Sequence, residues 1–162
     1  MRSIALGLLC LALAGCVSHG AAATTPAPPD HAVVIAIGGG SVRLDVSVAD
    51  TDPERERGLM GVTSLPADQG MAFVFAGPTR ATFWMKDTVI PLAIAFVDVN
   101  RRVVTIEEME PCHSNPCPTY RSSAPYTMAV EANAGWFDRT GVAVGDRAAL
   151  EPMGSVSSCQ AC

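Results

Sequence analysis

Charged and polar side chains and tryptophans set inside otherwise apolar stretches mark where this chain is best equipped for chemistry. They are Arg55, Trp84, Lys86, Asp87, Thr88, Glu131, Asn133 and Trp136. Burying such groups is costly unless each finds a partner, so together they suggest a built polar site rather than core filler. Flat indole faces beside hydrogen-bonding groups suit sugar rings, peptidoglycan-like fragments or peptides, which makes these eight positions the candidate ligand-binding residues. Asp87 and Glu131 are a conceivable carboxylate pair for glycoside hydrolysis, provided the fold sets them about 5–10 Å apart. The sequence has no Gly-x-Ser-x-Gly elbow, phosphate loop or His-Glu-x-x-His helix. His31 opens a strand and His113 lies in a loop, with no nucleophile evident beside either. Against the ligand site stands a structural network, in which Arg55 or Lys86 satisfies Glu131 or Asp87 while the tryptophans fill the core.

The cysteines offer a different chemistry. Of the six, Cys10 falls in an apolar N-terminal run and Cys16 ends it, which leaves Cys112, Cys117, Cys159 and Cys162 for the folded protein. In an oxidising compartment these are disulfide candidates. Cys112 and Cys117 lie close together in a Pro-rich loop, so a local staple is the preferred pairing. Cys159-Gln-Ala-Cys162 lacks the strand-to-helix setting of a redox motif and is read as a second local bridge. A zinc or copper site using the four cysteines and His113 is the competing assignment. No metal or other cofactor is expected. Met60, Met71, Met85 and Met128 sit among apolar residues and are read as core.

Positioning these residues falls to short strands. Ser41–Val48 alternates polar and apolar, His31–Ile37 is β-branched, and Gly38-Gly39-Gly40 between them supplies a hairpin turn. Thr51 and Glu54 have capping-box spacing for a helix that Gly58 ends. Further strands are expected at Met71–Phe75, Arg80–Lys86, Leu92–Asp98, Arg102–Glu108, Tyr126–Asn133 and Arg147–Pro152, with a helical turn over Ala134–Thr140. The fold class is therefore mainly β: a small single-domain barrel or sandwich of about eight short strands with one or two short helices.

The N-terminus reads as an export signal, in which Arg2 precedes an apolar run too short to span a bilayer. The run ends in Leu13-Ala14-Gly15-Cys16, which is similar to a bacterial lipoprotein processing box, so Cys16 is the expected lipidation site. Residues 16–30 are small and Pro-rich and form a tether; residues 31–152 form the β domain, and residues 153–162 a tail. A formal net charge of −5, without a Lys/Arg run, argues against nucleic acid as partner. The expected partners are the membrane, through the lipid, and an envelope glycan, peptide or protein; the chain is expected to be monomeric and periplasmic or extracytoplasmic.

Several phrases carry a family resemblance. Arg55-x-x-Gly58-Leu59-Met60, Gly70-Met71-x-Phe73, Phe83-Trp84-Met85-Lys86, Thr88-x-x-Pro91-Leu92, Pro116-Cys117-Pro118-x-Tyr120, Glu131-x-Asn133-Ala134-Gly135-Trp136 and Gly141-x-x-x-Gly145-Asp146 resemble the domain of unknown function 192 family, over nearly all of Val42 to Leu150. The resemblance implies a compact, mainly β domain and brings no established activity. The family usually has Arg where this chain has Val62, Asn where it has Asp87 and Asp where it has Ala93. Loss of an Arg and an Asp together is expected if they form an ion pair in relatives, which would place Val62 beside Ala93. The favoured reading is a non-catalytic binding or structural module of the cell envelope. A carbohydrate-active hydrolase using Asp87 and Glu131, and a redox or metal-handling protein using the cysteines, are the alternatives.

Overall fold

A computed structural model describes residues 25–153. The signal segment, the lipidation site Cys16, most of the tether and the Cys159–Cys162 pair lie outside the described residues.

The first two strands, β1 (His31–Ile37) and β2 (Gly40–Ala49), form the antiparallel hairpin expected from the β-branched run, the alternation of Ser41–Val48 and the glycines between them. A one-and-a-half-turn helix, α1 (Asp52–Arg57), follows. Its start is fixed by Glu54, whose carboxylate accepts the Thr51 backbone N–H at 3.1 Å and the Thr51 hydroxyl at 2.7 Å. Gly58 ends it with φ +48 and returns its N–H to the Glu54 carbonyl at 2.8 Å. This short crossover lets β3 (Gln69–Thr79) lie parallel to β2.

After β3 come β4 (Phe83–Trp84), β5 (Leu92–Val97), β6 (Val103–Met109), β7 (Thr119–Tyr120) and β8 (Tyr126–Asn133). Helix α2 (Trp136–Thr140) and strand β9 (Arg147–Pro152) complete the domain. Seven strands form one sheet in the order β6-β5-β8-β3-β2-β1-β9, and β4 and β7 pair as a small separate ribbon. The sheet curls into a half-barrel. Hydrogen bonds from Val103 N to Asp146 O (2.9 Å) and from Ala148 N to Arg101 O (2.9 Å) draw the start of β6 toward the start of β9.

Both faces of the middle of the sheet are covered, so all six residues of β5 are buried. One core contains Val33, Leu44, Val46, Ala93, Ala95, Val130, Trp136 and Phe137, contributed by strands from both ends of the sheet and by α2. The other contains Leu59, Val62, Phe73, Met85, Leu92, Ile94, Phe96 and Tyr126, between the sheet and the segments 58–62 and 83–90. Successive strand residues face opposite ways, so Ala93 belongs to the first core while Leu92 and Ile94 join Val62 in the second. The expectation that Val62 and Ala93 adjoin is therefore corrected: they pack in different layers, and each is buried among apolar neighbours.

Two strand boundaries also differ from expectation. Of the stretch 80–86, Phe83 and Trp84 alone form a strand, whose partner is β7 in a loop whose prolines gave no strand signal, and Lys86 makes an isolated bridge to Cys112. Strand β3 continues past Phe75 to Thr79, with an irregularity between Val74 and Thr79 that accommodates Gly77-Pro78.

Candidate functional site

A cavity of about 480 Å³ opens where α1 and its C-terminal turn meet β3, β4 and β8. Its wall is apolar and aromatic, with Leu59, Met60, Phe73, Phe75, Phe83 and Trp84, while Asp52, Arg55, Glu56 and Arg57 of α1 line it from one side. Phe83 meets Phe73 edge to face at 4.9 Å, so the rings form one packed surface. Both Thr88 and Glu131 also line the cavity. A volume in the usual range for small-molecule sites, about 300–1,000 Å³, and a wall of this kind suit a ligand with an apolar part.

Glu131 is the unusual member. The alternation along β8 turns it to the same face as Ala129 and away from Val130 and Ala132. Its backbone is held on both sides, opposite Met71 of β3 and Ile94 of β5, so the part that reaches the cavity is the side chain. Only 5% exposed, its carboxyl has no hydrogen-bond or ionic partner among the described residues, and burial alone pushes its pKa from 4.5 to about 8. At neutral pH it therefore carries a proton. Close approach of β3 to this point depends on Gly70, where a Cβ would lie 2.1 Å from the Glu131 carbonyl oxygen.

Arg55 does not satisfy Glu131. Its guanidinium donates to the Val74 carbonyl at 2.7 Å, to the Asp50 carbonyl and to Asp52, and lies 5.2 Å from the centre of the Phe75 ring. It fastens α1 to β3 and so shapes the cavity from the side. Thr88 is buried, and its hydroxyl donates to the Lys86 carbonyl at 3.4 Å.

A second, larger cavity of about 680 Å³ lies beyond Trp84 and Thr88, which line both. Lys86, Asp87, Val89 and the loop from Cys112 to Cys117 complete it. Lys86 Nζ stands 5.4 Å from the Trp84 ring centre. Asp87 occupies a left-handed position, φ +55, and its carbonyl accepts the Gly61 N–H at 2.8 Å. Asn and Asp both tolerate that backbone, so Asp87, in place of the Asn that the resemblance leads one to expect, is compatible with the turn. Cys112 and Cys117 form the expected disulfide, with Cα atoms 5.8 Å apart. Among the described residues, no three His, Cys, Asp or Glu side chains cluster as metal ligands would.

The eight candidate residues thus divide. Arg55, Trp84, Thr88 and Glu131 share the first cavity, and Trp84, Lys86, Asp87 and Thr88 the second. Convergence of all eight is corrected, because Asn133 and Trp136 line neither. Asn133 donates to the Leu65 and Pro66 carbonyls (3.2 and 2.9 Å), pinning the preceding loop. Trp136 is 0% exposed in the first core and gives its indole N–H to Asp68 at 3.0 Å. Asp87 and Glu131 line different cavities, so the geometry offers them no shared substrate position. Sequence reasoning missed Phe73, Phe75 and Phe83 as walls. The i, i+2 spacing of the first two was the available signal.

With this geometry in place, comparisons give the chain its relatives. The family profile DUF192, an uncharacterized ACR family, matches residues 33–150. A crystal structure of a protein of unknown function from Novosphingobium aromaticivorans DSM 12444 is 34% identical, with a TM-score of 0.68 over 73% of this chain and 83% of that one. Another, of a candidate transcription regulator from Sinorhizobium meliloti 1021, is 32% identical, with a TM-score of 0.68 over 79% of this chain and 98% of that one. Among curated proteins, none matches. The chain belongs to the DUF192 family.

Proposed function

We propose that this protein is a non-catalytic binding module of the cell envelope, and that the cavity between α1, β3, β4 and β8 is its ligand site. One observation carries this reading: Glu131 is buried without a partner and faces an aromatic cavity whose rim, Trp84, is 50% exposed. A purely structural network would have paired that carboxyl. The ligand is a fragment of envelope glycan or peptide, with an apolar or ring portion against the phenylalanines and Trp84. Attachment to the membrane is through lipid on Cys16, with the domain held off the surface by residues 16–30. Nucleic acid is not the partner, although the Sinorhizobium relative is described as a candidate regulator of transcription. A net charge of −5 opposes phosphate binding.

The test is a binding screen of peptidoglycan fragments and glycans against the wild type and Trp84→Ala, with folding checked by circular dichroism. Loss of about 1–3 kcal/mol of binding per hit is expected from removal of the stacking face, taking base-stacking tryptophans as the guide. Hits that bind the folded variant as tightly as the wild type would rule the cavity out.

A further inference from the structure

The cavity contains a charged partner's place but no charged partner. Of the two basic side chains that line it, Arg55 is already committed to Asp52, two backbone carbonyls and the face of Phe75, and Arg57 is exposed and makes no ion pair with Glu131. Opposite Glu131, β3 and β5 present Met71 and Ile94, while β3 and β4 line the cavity with Phe73, Phe75, Phe83 and Trp84. The other charged groups that line it are Asp52, Glu56, Arg55 and Arg57, all on α1. β3 and β4 contribute no titratable side chain to the lining, and Thr88 is uncharged.

Resting on the ligand-site reading above, we propose that the ligand enters with a positively charged amine head, a primary to quaternary ammonium, seated against Glu131 and ringed by the aromatic wall. An ammonium is the group that this lining satisfies most fully. It supplies the counter-charge the carboxylate lacks, and aromatic faces attract cations once water is excluded. Two of the rings already do so within the protein: Phe75 takes Arg55 on one face, and Trp84 takes Lys86. On binding, Glu131 releases its proton to solvent and the ammonium keeps its own, so the bound pair is carboxylate and cation.

Benzylammonium and its neutral counterpart benzyl alcohol separate the possibilities, because they match in shape and differ in charge. Titrated into the full chain and followed by NMR at Trp84 and Glu131, benzylammonium is expected to bind more tightly than benzyl alcohol. Its affinity should rise by about tenfold per pH unit from about pH 6 toward 8, as the cost of ionising Glu131 falls. Glu131→Gln keeps the shape and removes the charge; it should weaken benzylammonium by about 30-fold or more and benzyl alcohol far less. If that variant fails to fold, the pH dependence of wild-type binding still decides. Benzyl alcohol binding alone, or benzylammonium binding that is flat with pH, would overturn the cationic ligand while leaving the cavity as a ligand site. No binding of either would overturn the cationic ligand, while the cavity itself stands or falls by the screen of envelope fragments.

Discussion

Burial alone lifts the Glu131 carboxyl from 4.5 to about 8, and this ties its proton to the stability of the fold. Between those two values the unfolded chain has released the proton while the folded chain retains it. Stability contributed by the protonated form is therefore complete below about 4.5, falls as pH rises, and levels off above about 8. The fall amounts to at most about 1.4 kcal/mol per pH unit. Urea unfolding at intervals from pH 5 to pH 8 should show this slope in the wild type and a much flatter profile in Glu131→Gln. Equal slopes would mean that the carboxyl is solvated or paired. Tyr126, pushed up to about 12 by burial, titrates well outside this window and leaves the comparison clean.

Elements, rather than single residues, give the cavity its shape, and two contacts hold them. Gly70→Ala would drive a methyl group into the Glu131 carbonyl, at 2.1 Å, and the Leu44 side chain, at 2.9 Å. Strand β3 must then part from β8 or the change must be absorbed as strain, with an expected loss of about 3 kcal/mol in denaturant unfolding. Arg55→Ala removes the bonds that tie α1 to β3, and about 2 kcal/mol is expected to go with them. A smaller effect than Gly70→Ala, accompanied by faster amide exchange in α1, would fit its role as a fastener. At this scale much was legible in the sequence. Alternation in β2, the β-branched run of β1 and short apolar runs between turn residues placed β1, β2, β5, β6, β8 and β9 within a residue or two, and the Thr51–Glu54 pair located α1. The β4–β7 ribbon was not legible, because it joins Phe83 and Trp84 to a Pro-rich segment some 35 residues onward, and no local pattern encodes that pairing. The candidate site was half legible for a related reason. The residue types flagged Glu131 and Trp84, but only the two-sided packing of β5 and β8 shows that Trp136 and Asn133 serve other parts of the fold.

On the scale of the whole molecule, the curled sheet carries two cores, and the cavity lies at the edge of the one that holds Leu59, Phe73 and Tyr126, where α1, Trp84 and Glu131 meet. The proposed attachment of the chain to a membrane is separable from this architecture. Cys16→Ser should leave the domain folded and move the protein from the membrane fraction to the soluble one after cell lysis; retention in the membrane would contradict lipid anchoring at that residue. The ligand site itself is tested most directly by locating where bound envelope fragments sit. Mapping of peptidoglycan and glycan hits on the folded chain by NMR chemical-shift changes should center on the Trp84 indole, Phe83 and Glu131. Changes confined to the Cys112–Cys117 loop, or to the β1–β9 end of the sheet, would contradict the account.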